Sequence, residues 1–188
     1  SGTINIGFDF EFYGETHDQL KISSNGYLIF DTTVGLWSPW NLGGNTIPSG
    51  NFPGPSIFGA YHDMNPSTCG NVKYDTYGTA PCREFVATWN EVCEYGFCAS
   101  NQSTVEIILY ESSNIIEVYI GFRSGCRIGA VGIQNENGSE GVVPTGYNTG
   151  YWTANNKAWR FNPGGASSGS VYWFADGELV GEGSTLEM

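Results

Sequence analysis

Apolar and polar residues alternate almost without a break over Ile4-Asn5-Ile6-Gly7-Phe8-Asp9-Phe10-Glu11-Phe12. A period of two is that of a strand with one buried face, and it sets Asp9 and Glu11 side by side on the other face. A short strand around Leu20-Lys21-Ile22-Ser23 runs into Asn25-Gly26. Both of those residues tolerate positive φ, so they mark a tight hairpin turn, with Tyr27-Leu28-Ile29-Phe30 as the returning strand. Ile57 to Tyr61 is a continuous apolar run, as expected of a central strand, and it ends in the turn-like His62-Asp63-Met64-Asn65-Pro66. Val72–Tyr77 and Glu84–Trp89 flank a Gly78-to-Pro81 turn. Val105–Tyr110 and Ile115–Ile120 flank Glu111-Ser112-Ser113-Asn114. The pattern closes with Ile128–Gln134 and Ala158–Phe161. No segment carries a helical period. Several short strands with turn residues between them predict an all-β chain built as a β-sandwich.

Two stretches break the pattern. Asp31 to Pro55 holds Trp37, Trp40, four prolines and many glycines, and predicts a long packed loop. Its tryptophans suit either a lid over the core, the reading preferred here, or a contact for a ligand. Asn162-Pro163-Gly164-Gly165-Ala166-Ser167-Ser168-Gly169 is linker-like. A β domain over 1–163 is therefore expected, then a linker at 164–169. Residues 170–188 would follow as the incomplete opening of an immunoglobulin- or PKD-like module, from Val171-Tyr172-Trp173-Phe174 and the Asp176-Gly177 turn.

Composition narrows the function. Charged residues make up 14% and aromatic residues 15%, and the net charge is −12. That balance disfavours nucleic acid, whose phosphates are met by basic side chains, and it disfavours anionic lipid surfaces. No apolar run is long enough to span a membrane, so membrane insertion is not expected. The chain starts Ser1-Gly2-Thr3 without an initiator methionine, as a processed or excised chain would. Five cysteines, Cys69, Cys82, Cys93, Cys98 and Cys126, show no C-x-x-C spacing, and there are two histidines. Disulfides in an oxidising compartment fit better than zinc, with Cys93 and Cys98 around a short loop as the leading disulfide candidates and one cysteine left over. Two sequons, at Asn101 and Asn137, agree with an extracellular location.

Catalytic constellations are weak. Gly165-Ala166-Ser167-Ser168-Gly169 has the letters of a nucleophile elbow, but it lies in a linker with no histidine after it. His62 beside Asp63 lacks an evident nucleophile and reads as structural. Asp9 and Glu11 would suit a glycosidase pair, but any half-buried strand shows such an outer face. Asp63 and Asn65 place oxygen ligands two apart, as a calcium site would, although a turn uses the same residues. Trp37, Trp40, Tyr151 and Trp152 lie in Gly/Pro/Asn-rich loops. They could stack on a sugar or a protein surface, or plug the ends of the sandwich.

The order of motifs resembles the nidogen-like extracellular domain. It runs from Phe12-Tyr13-Gly14 through Ser24-Asn25-Gly26-Tyr27-Leu28-Ile29-Phe30, then Ile57 to Pro66, Gly70 to Tyr74, Phe85 to Trp89, Ile107 to Tyr110 and Asn114 to Glu117. Gly132-Ile133-Gln134-Asn135 and Ala158 to Pro163 resemble the version found in large bacterial surface proteins linked to gliding motility and type IX secretion. The resemblance implies a nidogen-like or jelly-roll-like sandwich without an established catalytic set. It further implies a role in a multidomain cell-surface adhesin whose partners are neighbouring domains, surface polysaccharide or other surface proteins. A lectin-like module and, less so, a glycoside hydrolase are the competing expectations.

Overall fold

The computed structural model describes residues 2–35 and 39–164, together with the backbone of 172–175 and 178–182. β1 (Ile4–Phe12) alternates buried and exposed along its whole length, with Asp9 and Glu11 outside. It turns through Tyr13 and Gly14, both at positive φ, into β2 (Glu15–Ser23). This is the two-residue geometry that matches strand twist. β2 starts five residues earlier than its pattern predicts, because Glu15 to Gln19 are polar and mostly exposed on both faces. β3 (Tyr27–Ile29) and β4 (Ser56–Tyr61) follow. β5 (Asn71–Tyr77) and β6 (Glu84–Cys93) form one hairpin, and β7 (Gln102–Tyr110) and β8 (Ile116–Arg123) another. β9 (Ala130–Gln134) pairs with the two-residue β10 (Gly141–Val142), and β11 (Ala154–Phe161) pairs with β8.

Among the described residues these strands make two antiparallel sheets, ordered β1-β2-β3-β4-β9-β10 and β11-β8-β7-β6-β5. Their inner faces supply one core, which includes Ile6, Phe10, Leu28 and Ile57 from the first sheet and Phe85, Trp89, Ile107 and Val118 from the second. The chain is thus an all-β sandwich. The outer edge of β1 is blunted rather than left open to pairing. Ile6 O accepts from Thr76 Oγ1 at 2.7 Å, Gly7 O accepts from the Arg83 guanidinium, and Glu11 N donates to Asn114 Oδ1 at 2.9 Å.

The 31–55 segment carries no regular strand among its described residues and covers the outside of the first sheet. Leu42, Ile47 and Phe52 pack there on Tyr27, Phe58 and Tyr61. The lid is therefore built from these three side chains. Trp40 is 50% exposed, and Trp37 lies outside the described residues. Beyond residue 164, β12 (Tyr172–Ala175) and β13 (Glu178–Glu182) form a separate antiparallel pair, while the 165–169 part of the expected linker and the Asp176-Gly177 turn lie outside the described residues.

Two irregularities shape one end of the sandwich. In β4 the amides of Gly59 and Ala60 both donate to Gly26 O, a bulge that redirects the chain before His62. In β6 the register shifts between Trp89 and Val92, with Glu91 at φ 51°. Gly70 packs against that second bulge at φ +74°, and a Cβ there would stand 2.3 Å from Glu91 O. Gly70→Ala should therefore cost about 1–3 kcal/mol of stability in a denaturant titration. Gly2→Ala, with nothing within 4 Å, should cost none.

Candidate contact site at one end of the sandwich

The bulges deliver four segments to the same end: the turn after β4, the β6–β7 connection, the β8–β9 connection and the loop before β11. Two disulfides join the first three. Cys69 pairs with Cys93 and Cys98 with Cys126, while Cys82 is free and exposed. Cys93 and Cys98 are thus both oxidised, each to a distant partner, so the loops they close span 24 and 28 residues of sequence. The turn between them, Glu94-Tyr95-Gly96-Phe97, is anchored at each end. Tyr95 N donates to Asp63 O at 3.0 Å, Glu94 N donates to Asn101 O at 3.0 Å, and Gly96–Cys98 closes one 3-10 turn.

Beneath this turn lies a polar cluster sealed from solvent. His62, Glu94, Ser103 and Arg123 are all fully buried. His62 Nδ1 donates to Ala60 O, which leaves Nε2 to accept from Ser103 Oγ at 3.3 Å. Glu94 Oε1 accepts from Ser124 Oγ at 2.6 Å and lies 3.9 Å from His62 Nε2. Burial, aided by the Arg123 and Arg127 guanidinium groups, holds the imidazole neutral with a pKa of about 3. Arg123 donates to Trp152 O and, at 2.6 Å, to Arg127 O, and its guanidinium lies 3.9 Å from the centre of the Trp152 ring. Burial lowers its pKa to about 10. Gly129 makes room for it, since a Cβ there would sit 2.3 Å from Nη2.

Ser103, His62 and Glu94 supply the residue types of a hydrolytic triad in the wrong arrangement. A triad needs the acid on the Nδ1 side, opposite the hydroxyl. Here Nδ1 is taken by a backbone carbonyl and Glu94 stands on the Nε2 side with Ser103. No face of the three is open to a substrate. The cluster is a structural plug, and its hydrogen bonds tie the four segments together.

The outer surface of this end is aromatic. Phe97 is 82% exposed, Tyr151 71% and Tyr95 53%. Arg127 fixes the Phe97 ring from one side at 4.6 Å, donates to Tyr95 O and sits 3.8 Å from Asp63. The Gly129–Gly150 bridge and the Arg123 bonds connect Arg127 to the segment that carries Tyr151. Of the ring candidates read from sequence, Tyr151 is therefore an open contact. Trp152 is occupied: Arg123 covers one face, Tyr147 meets it edge-on at 5.1 Å and its Nε1 donates to Gly129 O. Trp40 is half-exposed in the 31–55 loop beside Pro39, whose carbonyl accepts from Asn25 Nδ2. Asp63 faces Arg127, and burial raises its carboxyl pKa against the pull of that guanidinium. Asn65 bonds Ser67 N through its oxygen and Thr68 Oγ1 through its amide, so it serves the turn. Asp9 and Glu11 lie on the exposed face of β1.

A groove of about 570 Å³ opens elsewhere, lined by Ile4, Ile22, Tyr27 and Ile29 of the first sheet, Phe52 of the 31–55 loop, and Val72 and Tyr74 of β5. Lys21, the charged residue in its lining, donates to Val34 O.

A family model described as "NIDO related" matches residues 1–176. The chain belongs to the NIDO-related family. The match extends past residue 163 and takes in the β12 strand. None of the curated proteins matches the chain, and none of the solved structures does. For a NIDO-related domain, two disulfides fit an extracellular setting, and among the described residues no helix is long and apolar enough to cross a membrane.

Proposed function

We propose that this NIDO-related chain is a non-catalytic binding module of a large multidomain cell-surface adhesin, and that the Tyr95–Phe97–Tyr151 end is its contact surface. The observation that carries the proposal is Phe97. A phenylalanine this exposed gains nothing for folding, yet its turn is stapled at Cys93 and Cys98 and its ring is held by Arg127. Rings held rigid before binding lose little entropy on contact, so their apolar area converts efficiently into affinity. The motif order favours the bacterial branch of the family, with a role in surface adhesion or gliding motility and export by type IX secretion. On this reading 164–169 links the domain to an immunoglobulin- or PKD-like neighbour that opens at 170, and the partners are surface polysaccharide or other surface proteins. The lectin-like reading uses the same rings, since exposed aromatic faces stack on sugars.

The test is retention of the immobilised domain on polysaccharide, glycan arrays and intact cells. Phe97→Ala with Tyr151→Ala should reduce retention at least about tenfold, the loss expected for two anchoring rings, with an unchanged melting temperature. Saturable binding of one glycan would select the lectin form. Retention indifferent to both substitutions would overturn the assignment of the surface. Glycoside turnover abolished by Asp9→Asn or Glu11→Gln would overturn the non-catalytic reading.

A further inference from the structure

Glu94, Cys98 and Cys126 bring a carboxylate oxygen and two sulfurs within 4.8 Å of one another. In the oxidised protein this is no metal site, because a disulfide has no thiolate to offer. The carboxylate is nevertheless incompletely satisfied. Oε1 is held by Ser124, whereas Oε2 is buried without a hydrogen-bond partner among the described residues. A fully buried carboxylate oxygen left in this way is costly unless a cation or donor meets it. Cys98 is buried and Cys126 half-exposed, so the sulfur pair is reachable from one side only.

From this geometry we infer that the Cys98–Cys126 disulfide conceals a redox-gated site for a thiophilic divalent cation, zinc being the natural occupant. A dithiol reductant supplies two electrons and two protons. It becomes a cyclic disulfide, and the Cys98–Cys126 bond opens to two thiols. Each thiol then releases its proton as the cation binds. The two thiolates and the Glu94 carboxylate make a three-ligand set, and the partly exposed side at Cys126 leaves the fourth position to water. Tetrahedral zinc takes ligands of these kinds, sulfur at about 2.3 Å and carboxylate oxygen at about 2.0–2.2 Å. The sulfurs need to part from bonded contact, which the freed β6–β7 and β8–β9 connections allow. Ser124 keeps Glu94 oriented throughout. A disulfide oxidant accepts two electrons and becomes a dithiol, the Cys98–Cys126 bond re-forms and the cation leaves, so the loop that displays Phe97 is closed by a covalent bond in one state and by a metal in the other.

The experiment uses the full chain carrying Cys82→Ser, which removes the free thiol, reduced with a phosphine under chelator and then titrated with Co²⁺ or Zn²⁺. The expected result is one Co²⁺ per chain with sulfur-to-cobalt absorption, absent before reduction, and a Zn²⁺-dependent rise in the melting temperature of the reduced protein. Glu94→Gln should weaken binding at least about tenfold through loss of one of three ligands. Cys98→Ala with Cys126→Ala should abolish binding, and Cys69→Ala with Cys93→Ala should retain it. Far-UV circular dichroism is recorded alongside each titration, and loss of the β signal on reduction with Zn²⁺ present overturns the site as well. Absence of Co²⁺ binding to the folded reduced chain overturns the site. So does affinity unchanged in Glu94→Gln, or equal binding before reduction.

Discussion

Reduction of both disulfides is expected to lower the melting temperature by roughly 15–25 °C, the largest effect predicted for this chain. The bonds close loops of 24 and 28 residues. On the chain-entropy account, loops of that length stabilise by about 3–4 kcal/mol each, mostly by restricting the unfolded chain. The two bonds differ in what else they hold. Cys69–Cys93 ties the turn after β4 to the end of β6, next to Gly70 and the β6 bulge. Cys98–Cys126 ties the Phe97 turn to the β8–β9 connection, with few regular backbone bonds across that junction. Cys98→Ala with Cys126→Ala should therefore lower stability and also expose the 95–97 turn to proteases that cut after aromatic residues, at temperatures where the sandwich remains folded. Cys69→Ala with Cys93→Ala should lower stability with less local cleavage. A melting temperature unchanged by reductant, in the absence of added metal, would contradict this account.

The frame of the sandwich was legible because it rests on period two. β1 shows its alternation in nine consecutive residues, and the hairpins β5–β6 and β7–β8 carry β-branched or aromatic strands on either side of a turn. The first half of β2 was not legible, since Glu15 to Gln19 pair through backbone alone and bury almost nothing. The site was legible in pieces. Tyr151 was found as a loop aromatic, and the four-residue turn between Cys93 and Cys98 was visible as a turn. Its partners were not. Ser103 meets His62 across 41 positions, and Ser124 meets Glu94 across 30. A bulge in each of two strands decides those meetings, and a bulge is one inserted residue that leaves no mark on the hydrophobic pattern. Arg123 had a weak signal: an arginine closing the apolar strand Ile116–Arg123 has to find acceptors, and it finds them on Trp152 and Arg127.

Acid should destabilise the domain from about pH 6.5 downward, well before most carboxylates titrate. His62 is the reason. It is fully buried, its Nε2 is committed as an acceptor to Ser103, and two guanidinium groups lie close by. The Ala60 carbonyl bonded to Nδ1 favours the protonated ring, and burial with Arg123 and Arg127 outweighs it, so the folded pKa falls to about 3. The unfolded chain takes up a proton near pH 6.5 and the folded chain does not. Between those two values the unfolded state holds one proton more, so stability is complete above the unfolded pKa and falls as pH falls. The slope approaches about 1.4 kcal/mol per pH unit. His17 is also shifted down, by partial burial against Phe30, and adds a smaller contribution of the same sign. His62→Gln removes the titrating ring while keeping a polar group at that position. Denaturant titrations of both proteins between pH 7.5 and 5 should therefore diverge in slope. The variant is expected to be less stable at pH 7.5 and to fall across the range only by the smaller His17 contribution, and the wild type to lose about 1–2 kcal/mol more than the variant by pH 5. Parallel profiles would mean that His62 takes up its proton in the folded chain as it does in the unfolded one, and the neutral-plug description of this cluster would be wrong.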